Sequence, residues 1–120
     1  MIEETILTYL SGALDVPVLM ELPEVPSEDY PVFPDRMVLI ERVGTKMTNH
    51  VVAASFAFQS YSCSRLYDAA SLDEEVREAL EDLPELPEIG SVHLESNYNF
   101  TDTRTKRYRY QSVYEIRYIG

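Results

Sequence analysis

Two stretches near the C-terminus keep an almost strict two-residue period, and they constrain the fold more than any other feature. Val92, Leu94, Ser96, Tyr98 and Phe100 alternate with His93, Glu95, Asn97 and Asn99, while Tyr108, Tyr110, Ser112, Tyr114, Ile116 and Tyr118 alternate with Arg107, Arg109, Gln111, Glu115 and Arg117. Successive side chains of a strand point to opposite faces, so this period predicts two long strands. The residues between them, 101–105, are polar, which predicts an antiparallel hairpin with its tip there.

Upstream, Met37 to Val43 and His50 to Tyr61 are two further runs rich in β-branched and aliphatic residues. Gly44 to Asn49 reads as a polar connection between them, so they form a second hairpin. In the later run neither set of alternating residues is strongly polar, which places that strand in the middle of the sheet with both faces covered. Ile2, Ile6, Tyr9, Leu10, Ala13 and Leu14 recur at helical spacing, and Pro17 follows as a stop. Val18 to Glu21 reads as a short strand. The segment holding Pro23, Pro26, Pro31 and Pro34 must be loop, pinned by Val25, Tyr30, Val32 and Phe33.

A second helix carries Leu66, Ala69, Ala70, Val76, Ala79, Leu80 and Leu83 as its apolar stripe, with Ser62 or Ser64 as N-cap. Ser71-Leu72-Asp73-Glu74 also fits a capping box, but one continuous helix ending before Pro84 is the expectation, followed by an extended connector through Glu88. The expected fold class is therefore α+β and sandwich-like. It has a mostly antiparallel sheet of about five strands with two helices, in the order α-β-β-β-α-β-β, within a single domain over residues 1–120.

Chemistry is sparse. Cys63 is the one cysteine and His50 and His93 are the two histidines, so neither a disulfide nor a Cys-rich metal site can form within the chain. With Gly12, Gly44, Gly90 and Gly120 as the only glycines, there is no phosphate-cradling loop, nucleophile elbow or dinucleotide fingerprint. The expectation is a protein that is not an enzyme and uses no cofactor or metal. No apolar run is long enough to span a bilayer and the first residues do not resemble an export signal, so no membrane partner and a cytoplasmic site of synthesis are expected.

The net charge is −11, from 21 acids against 10 bases, which disfavours sequence-specific nucleic-acid binding because phosphate contacts depend on Lys and Arg. The charge is unevenly placed. Residues 73–88 carry Asp73, Glu74, Glu75, Glu78, Glu81, Asp82, Glu85 and Glu88 against Arg77 alone, whereas residues 104–117 carry Arg104, Lys106, Arg107, Arg109 and Arg117 against Glu115 alone. Either these are two solvated faces that keep the protein soluble, or one subunit offers its basic surface to the acidic surface of the next. The tyrosines of the last strand likewise fit an inward sheet face or, with the neighbouring arginines, a partner contact.

The element order, the run VVAASFAFQSYSCSRLYDAASLDEEVREAL and the closing strand YRYQSVYEIRY resemble the small tail-completion or tail-terminator proteins of long-tailed phages and of prophages of Gram-positive bacteria. The resemblance covers nearly the whole chain. It implies a non-enzymatic head–tail joining protein: a wedge-shaped subunit that closes a homo-oligomeric ring, usually a hexamer, on the tail-tube protein and meets the head connector protein. The localisation implied is the host cytoplasm during assembly and then the virion. On this reading Arg104, Lys106, Arg107 and Arg109 form the subunit interface, and their reversal should impair assembly while sparing the fold. Asp73, Glu74, Glu78, Glu81 and Asp82 face the channel, where carboxylates repel passing DNA. The alternative from another class is an acidic DNA-mimic inhibitor of a nucleic-acid-binding protein, with the acids of 73–88 as its active surface.

Overall fold

The computed structural model describes residues 1–102, 104 and 107–119. In chain order its elements are α1 (Ile2–Ala13), β1 (Val18–Leu19), β2 (Arg36–Thr48), β3 (Val51–Ser62), α2 (Leu66–Glu81), a 3-10 turn (Leu83–Glu85), β4 (Ile89–Asn99) and β5 (Tyr108–Ile119). The result is an α+β fold in which two helices pack on a five-stranded sheet of order β1-β2-β3-β5-β4. β1 and β2 pair in parallel, and the other three pairings of the sheet are antiparallel. The expected class, element order and single continuous second helix are all present.

Both helices cover the same face of the sheet. Ile2, Ile6 and Leu10 of α1 and Leu72, Val76 and Leu80 of α2 recur at three- and four-residue spacing, so each helix turns one apolar stripe inward. They meet Val38, Ile40, Ala54, Phe56, Phe58, Tyr114 and Ile116 from the central strands. Phe56 and Phe58 are fully buried, and burial of each such ring contributes about 1.5–3 kcal/mol. As the alternation requires, β5 turns Tyr108, Tyr110, Tyr114 and Tyr118 toward the helices, in register with Ser62, Ser60, Phe56 and Val52.

The other face of the sheet carries a smaller cluster of Met37, Leu39 and Tyr61, with Leu19 and Phe33 packed on it. β3 is central with both faces covered as expected: the helices cover one, and a loop covers part of the other. Of the Pro-rich loop residues expected to act as pins, Phe33 does so, its ring edge-on to Tyr61 at 6.3 Å. Val25 and Val32 are exposed.

Three local expectations are corrected. The polar connection expected from Gly44 to Asn49 is mostly strand: β2 runs on to Thr48, and the turn is Asn49-His50 alone. Both turn residues have positive φ, 50° and 68°, the handedness that matches the twist of a two-residue hairpin. The segment after α2 is not extended. Pro84 sits at the start of a 3-10 turn, where its fixed φ suits the helix, and buried Leu83 anchors that turn to the core. The N-cap position of α2 belongs to Arg65, while Ser62 Oγ accepts from the Ser64 backbone N–H at 3.2 Å one turn earlier.

Candidate assembly surfaces

The acidic surface is built by α2, and its first expected member is missing from it. Asp73 is 1% exposed. Its position falls on the same stripe as Ala69, Leu72, Val76 and Leu80, so the helix carries its carboxylate to the sheet. There Ser112 Oγ donates to Oδ1 at 2.5 Å, while Asn97 Nδ2 and Arg77 Nε donate to Oδ2 at 2.8 Å and 3.0 Å. Asn97 Nδ2 also donates to Ser112 Oγ at 2.9 Å. A buried carboxylate is retained only when charge and donors compensate its lost hydration, and this cluster supplies both. The expectation of a channel-facing Asp73 is therefore corrected: the residue docks α2 onto β4 and β5.

The other expected acids, Glu74, Glu78, Glu81 and Asp82, are exposed along the outer side of α2. Glu75 lies beside them but pairs with Arg36 of β2 at 3.0 Å. Tyr9 of α1 donates its hydroxyl to the Ala79 carbonyl of α2 at 2.7 Å, which joins the two helices beneath this surface. Partial burial, with the carboxylates of Asp82 and Glu85 adding to it, raises the pKa of that phenol.

The basic surface lies on the opposite side of the sheet, and most of it is braced from within. Arg109 donates Nε to the Phe100 carbonyl at 2.7 Å and an Nη1 proton to the Tyr61 hydroxyl at 3.0 Å. Its guanidinium lies 4.2 Å from the Phe100 ring centroid, and that of Arg107 lies 3.7 Å from the Phe33 centroid. Arg107 and Arg109 are thus structural parts of the hairpin as well as surface charge, which corrects the expectation that reversing them spares the fold. Arg104 is exposed, with its backbone N–H held by Asp102 Oδ1 at 3.0 Å. Lys106 lies outside the described residues.

Sequence reasoning missed a polar row that runs from Arg109 across the sheet. Tyr61 donates its hydroxyl to Gln59 Oε1 at 3.1 Å, and Gln59 Nε2 donates to Gln111 Oε1 at 2.8 Å. Gln111 Nε2 in turn donates to the Tyr98 hydroxyl. The row ties β3, β5 and β4 together at one height, because Gln59 pairs with Gln111 and Gln111 with Tyr98 in the sheet register. The available signal was two glutamines at apparently buried strand positions, where each needs a partner.

Sequence reasoning also missed apolar exposure at the far end of the sheet, where Met47 is 68% and Ile119 73% exposed, with Val43 and Val51 nearby. Cys63 is exposed at the strand-to-helix corner, and desolvation raises its thiol pKa. Among the described residues no helix is long and apolar enough to cross a membrane. No protein-family model matches the chain, and no curated protein matches it.

Proposed function

We propose that this chain is a non-enzymatic virion assembly protein of the tail-completion type, a ring-forming subunit that caps the tail tube and joins it to the head connector. The observation that carries the reading is the placement of unlike charge on opposite sides of one sheet. Glu74, Glu78, Glu81 and Asp82 line the helix side, and Arg107 and Arg109 line the side without helices. Unlike patches on one subunit favour head-to-tail contact over two-fold pairing, and head-to-tail contacts close into rings when the rotation permits. The arginines are held by aromatic rings and a hydrogen-bonded row, so they are pre-ordered before any partner arrives, which lowers the entropy cost of association. The resemblance to tail-completion proteins supplies the partners.

Native mass spectrometry of the chain mixed with a tail-tube protein and with a connector protein from the same assembly tests this. The expected result is a cyclic oligomer of the chain bound to at least one of them. Capture of neither, together with tight binding to a nucleic-acid-binding enzyme, would favour the DNA-mimic alternative.

A further inference from the structure

The sheet ends in two open edges of unlike composition. β1 pairs with β2 at Val38 and Leu39, so among the described residues no strand lies beyond residues 40–48. On the opposite side β4 is the last strand, and residues 91–99 are likewise open. An open edge presents a row of unpaired N–H and C=O groups, which is a template for another strand. The register shifts once in β2, at Val43, and twice in β4, at Gly90 and Glu95, and bulges twist an edge away from pairing. The regular pieces are then residues 44–48 of β2 and residues 91–94 and 96–99 of β4; Tyr98 and Asn99 are level with Leu39 and Val38, which β1 covers, so 91–94 is the piece of β4 that matches an open stretch of β2. Following the register through β3 and β5, Thr45 is level with Ala54, Ile116 and Val92, and Gly44 is level with Ser55, Glu115 and His93. Residues 44–48 and 91–94 therefore lie at the same height on opposite margins of the sheet.

From this juxtaposition we infer that residues 44–48 of β2 pair edge to edge with residues 91–94 of β4 in a second copy of the chain. β4 runs antiparallel to β2, because each of the three intervening pairings reverses direction. Repeating the subunit about an axis along the strands thus brings the two edges together antiparallel without inverting the sheet. The helices stay on one side throughout, and exposed Met47 and Leu94 both project on that side, one toward each end of the paired stretch. Charge selects the unlike edge over a like one. Lys46 stands on the β2 piece, Glu88 and Glu95 flank the β4 piece, and Glu41 lies level with uncharged Ser96. The other bases on β2 are committed within their own chain, Arg42 to Glu3 at 2.8 Å and Arg36 to Glu75 at 3.0 Å. The edge contact does not depend on the contact of charged faces described above: in a ring closed through these edges the acidic and basic faces form opposite walls instead of meeting.

Two variants separate the edges. Thr45→Asp/Met47→Asp blocks the β2 edge and His93→Asp/Leu94→Asp blocks the β4 edge, all four residues being exposed. Sedimentation equilibrium is run on each variant, on the wild type and on an equimolar mixture, after circular dichroism has matched the thermal midpoints. The wild type is expected to grow in mass with concentration, each variant to stay monomeric, and the mixture to stop at a one-to-one dimer because each member keeps one live edge. If either variant assembles like the wild type, the edge contact is wrong and the assembly reading survives through other surfaces. A wild type that stays monomeric at every concentration, or a mixture that stays monomeric, also overturns the edge contact. Should a variant lose its fold, hydrogen exchange on the wild type decides: joint protection of residues 44–48 and 91–94 as concentration rises is required, and protection of one alone contradicts it.

Discussion

Asp73 on α2 and Ser112 on β5 lie 39 positions apart in the chain and meet at 2.5 Å, the serine hydroxyl donating to a carboxylate that is almost wholly buried. Asn97 and Arg77 complete the cluster, so three elements converge on one side chain. Asp73→Ala should therefore destabilise the fold by about 2–4 kcal/mol, since it strands buried donors and an arginine at once. A denaturant titration would show this as a fall in midpoint without a change in slope. Glu78→Ala, on the exposed side of the same helix, should stay within about 0.5 kcal/mol of wild type.

Tyr114 gives a pH dependence at the alkaline end. Burial pushes its phenol up to about 12, with nearby Asp73 and Glu81 adding to the rise and Arg77 opposing it. An unfolded tyrosine ionises near pH 10.0, so above that pH the unfolded chain has lost a proton that the folded chain keeps. Stability is fully present below that value and falls as pH rises toward the folded one, by up to about 2–3 kcal/mol from this group. Thermal midpoints recorded across that window should decline, and Tyr114→Phe should flatten the decline.

Arg109 and Arg104 should behave differently although both are cations of one hairpin. Arg109→Ala removes three side-chain hydrogen bonds, to Phe100, Tyr61 and Gln59, and its stacking on Phe100, and is expected to lower stability by about 1–2 kcal/mol. Arg104→Ala should leave the midpoint unchanged. Any effect of Arg104→Ala on self-association then reports on contact alone.

The Asn49-His50 turn is suboptimal as it stands, because His50 holds a φ of 68° that a side chain disfavours. His50→Gly produces the Asn-Gly pair that such turns prefer and should raise stability by about 0.5–1 kcal/mol, despite the extra freedom of glycine in the unfolded chain. Equilibrium unfolding of the single variant checks this.

These cases also mark how far the sequence could be read. β5 was legible because its two-residue period is unbroken, and α2 because its apolar stripe is continuous from Leu66 to Leu80; β4 was legible as a strand by the same period, but the bulge at Glu95 exchanges its faces, so that beyond it Asn97 and not Tyr98 lies on the helix side with Val92 and Leu94. The outer half of β2 was not, since residues 44–48 are all exposed and a strand with no buried face leaves no period. Asp73 was misplaced because its residue type suggested solvent, although its spacing from Ala69, Val76 and Leu80 already set it on the inward stripe. Arg107 and Arg109 needed Phe33 and Phe100 to be interpreted. One of these rings comes from a loop some seventy residues away, which only the folded chain brings near.

The central claim is that this chain ends the growth of a tail tube, and electron microscopy of tubes assembled from the tail-tube protein tests it most directly. With the chain present during polymerisation, tubes should be capped at one end by a ring of the chain and should cease to lengthen. Tubes that keep growing as they do alone, with no ring at either end, would contradict it.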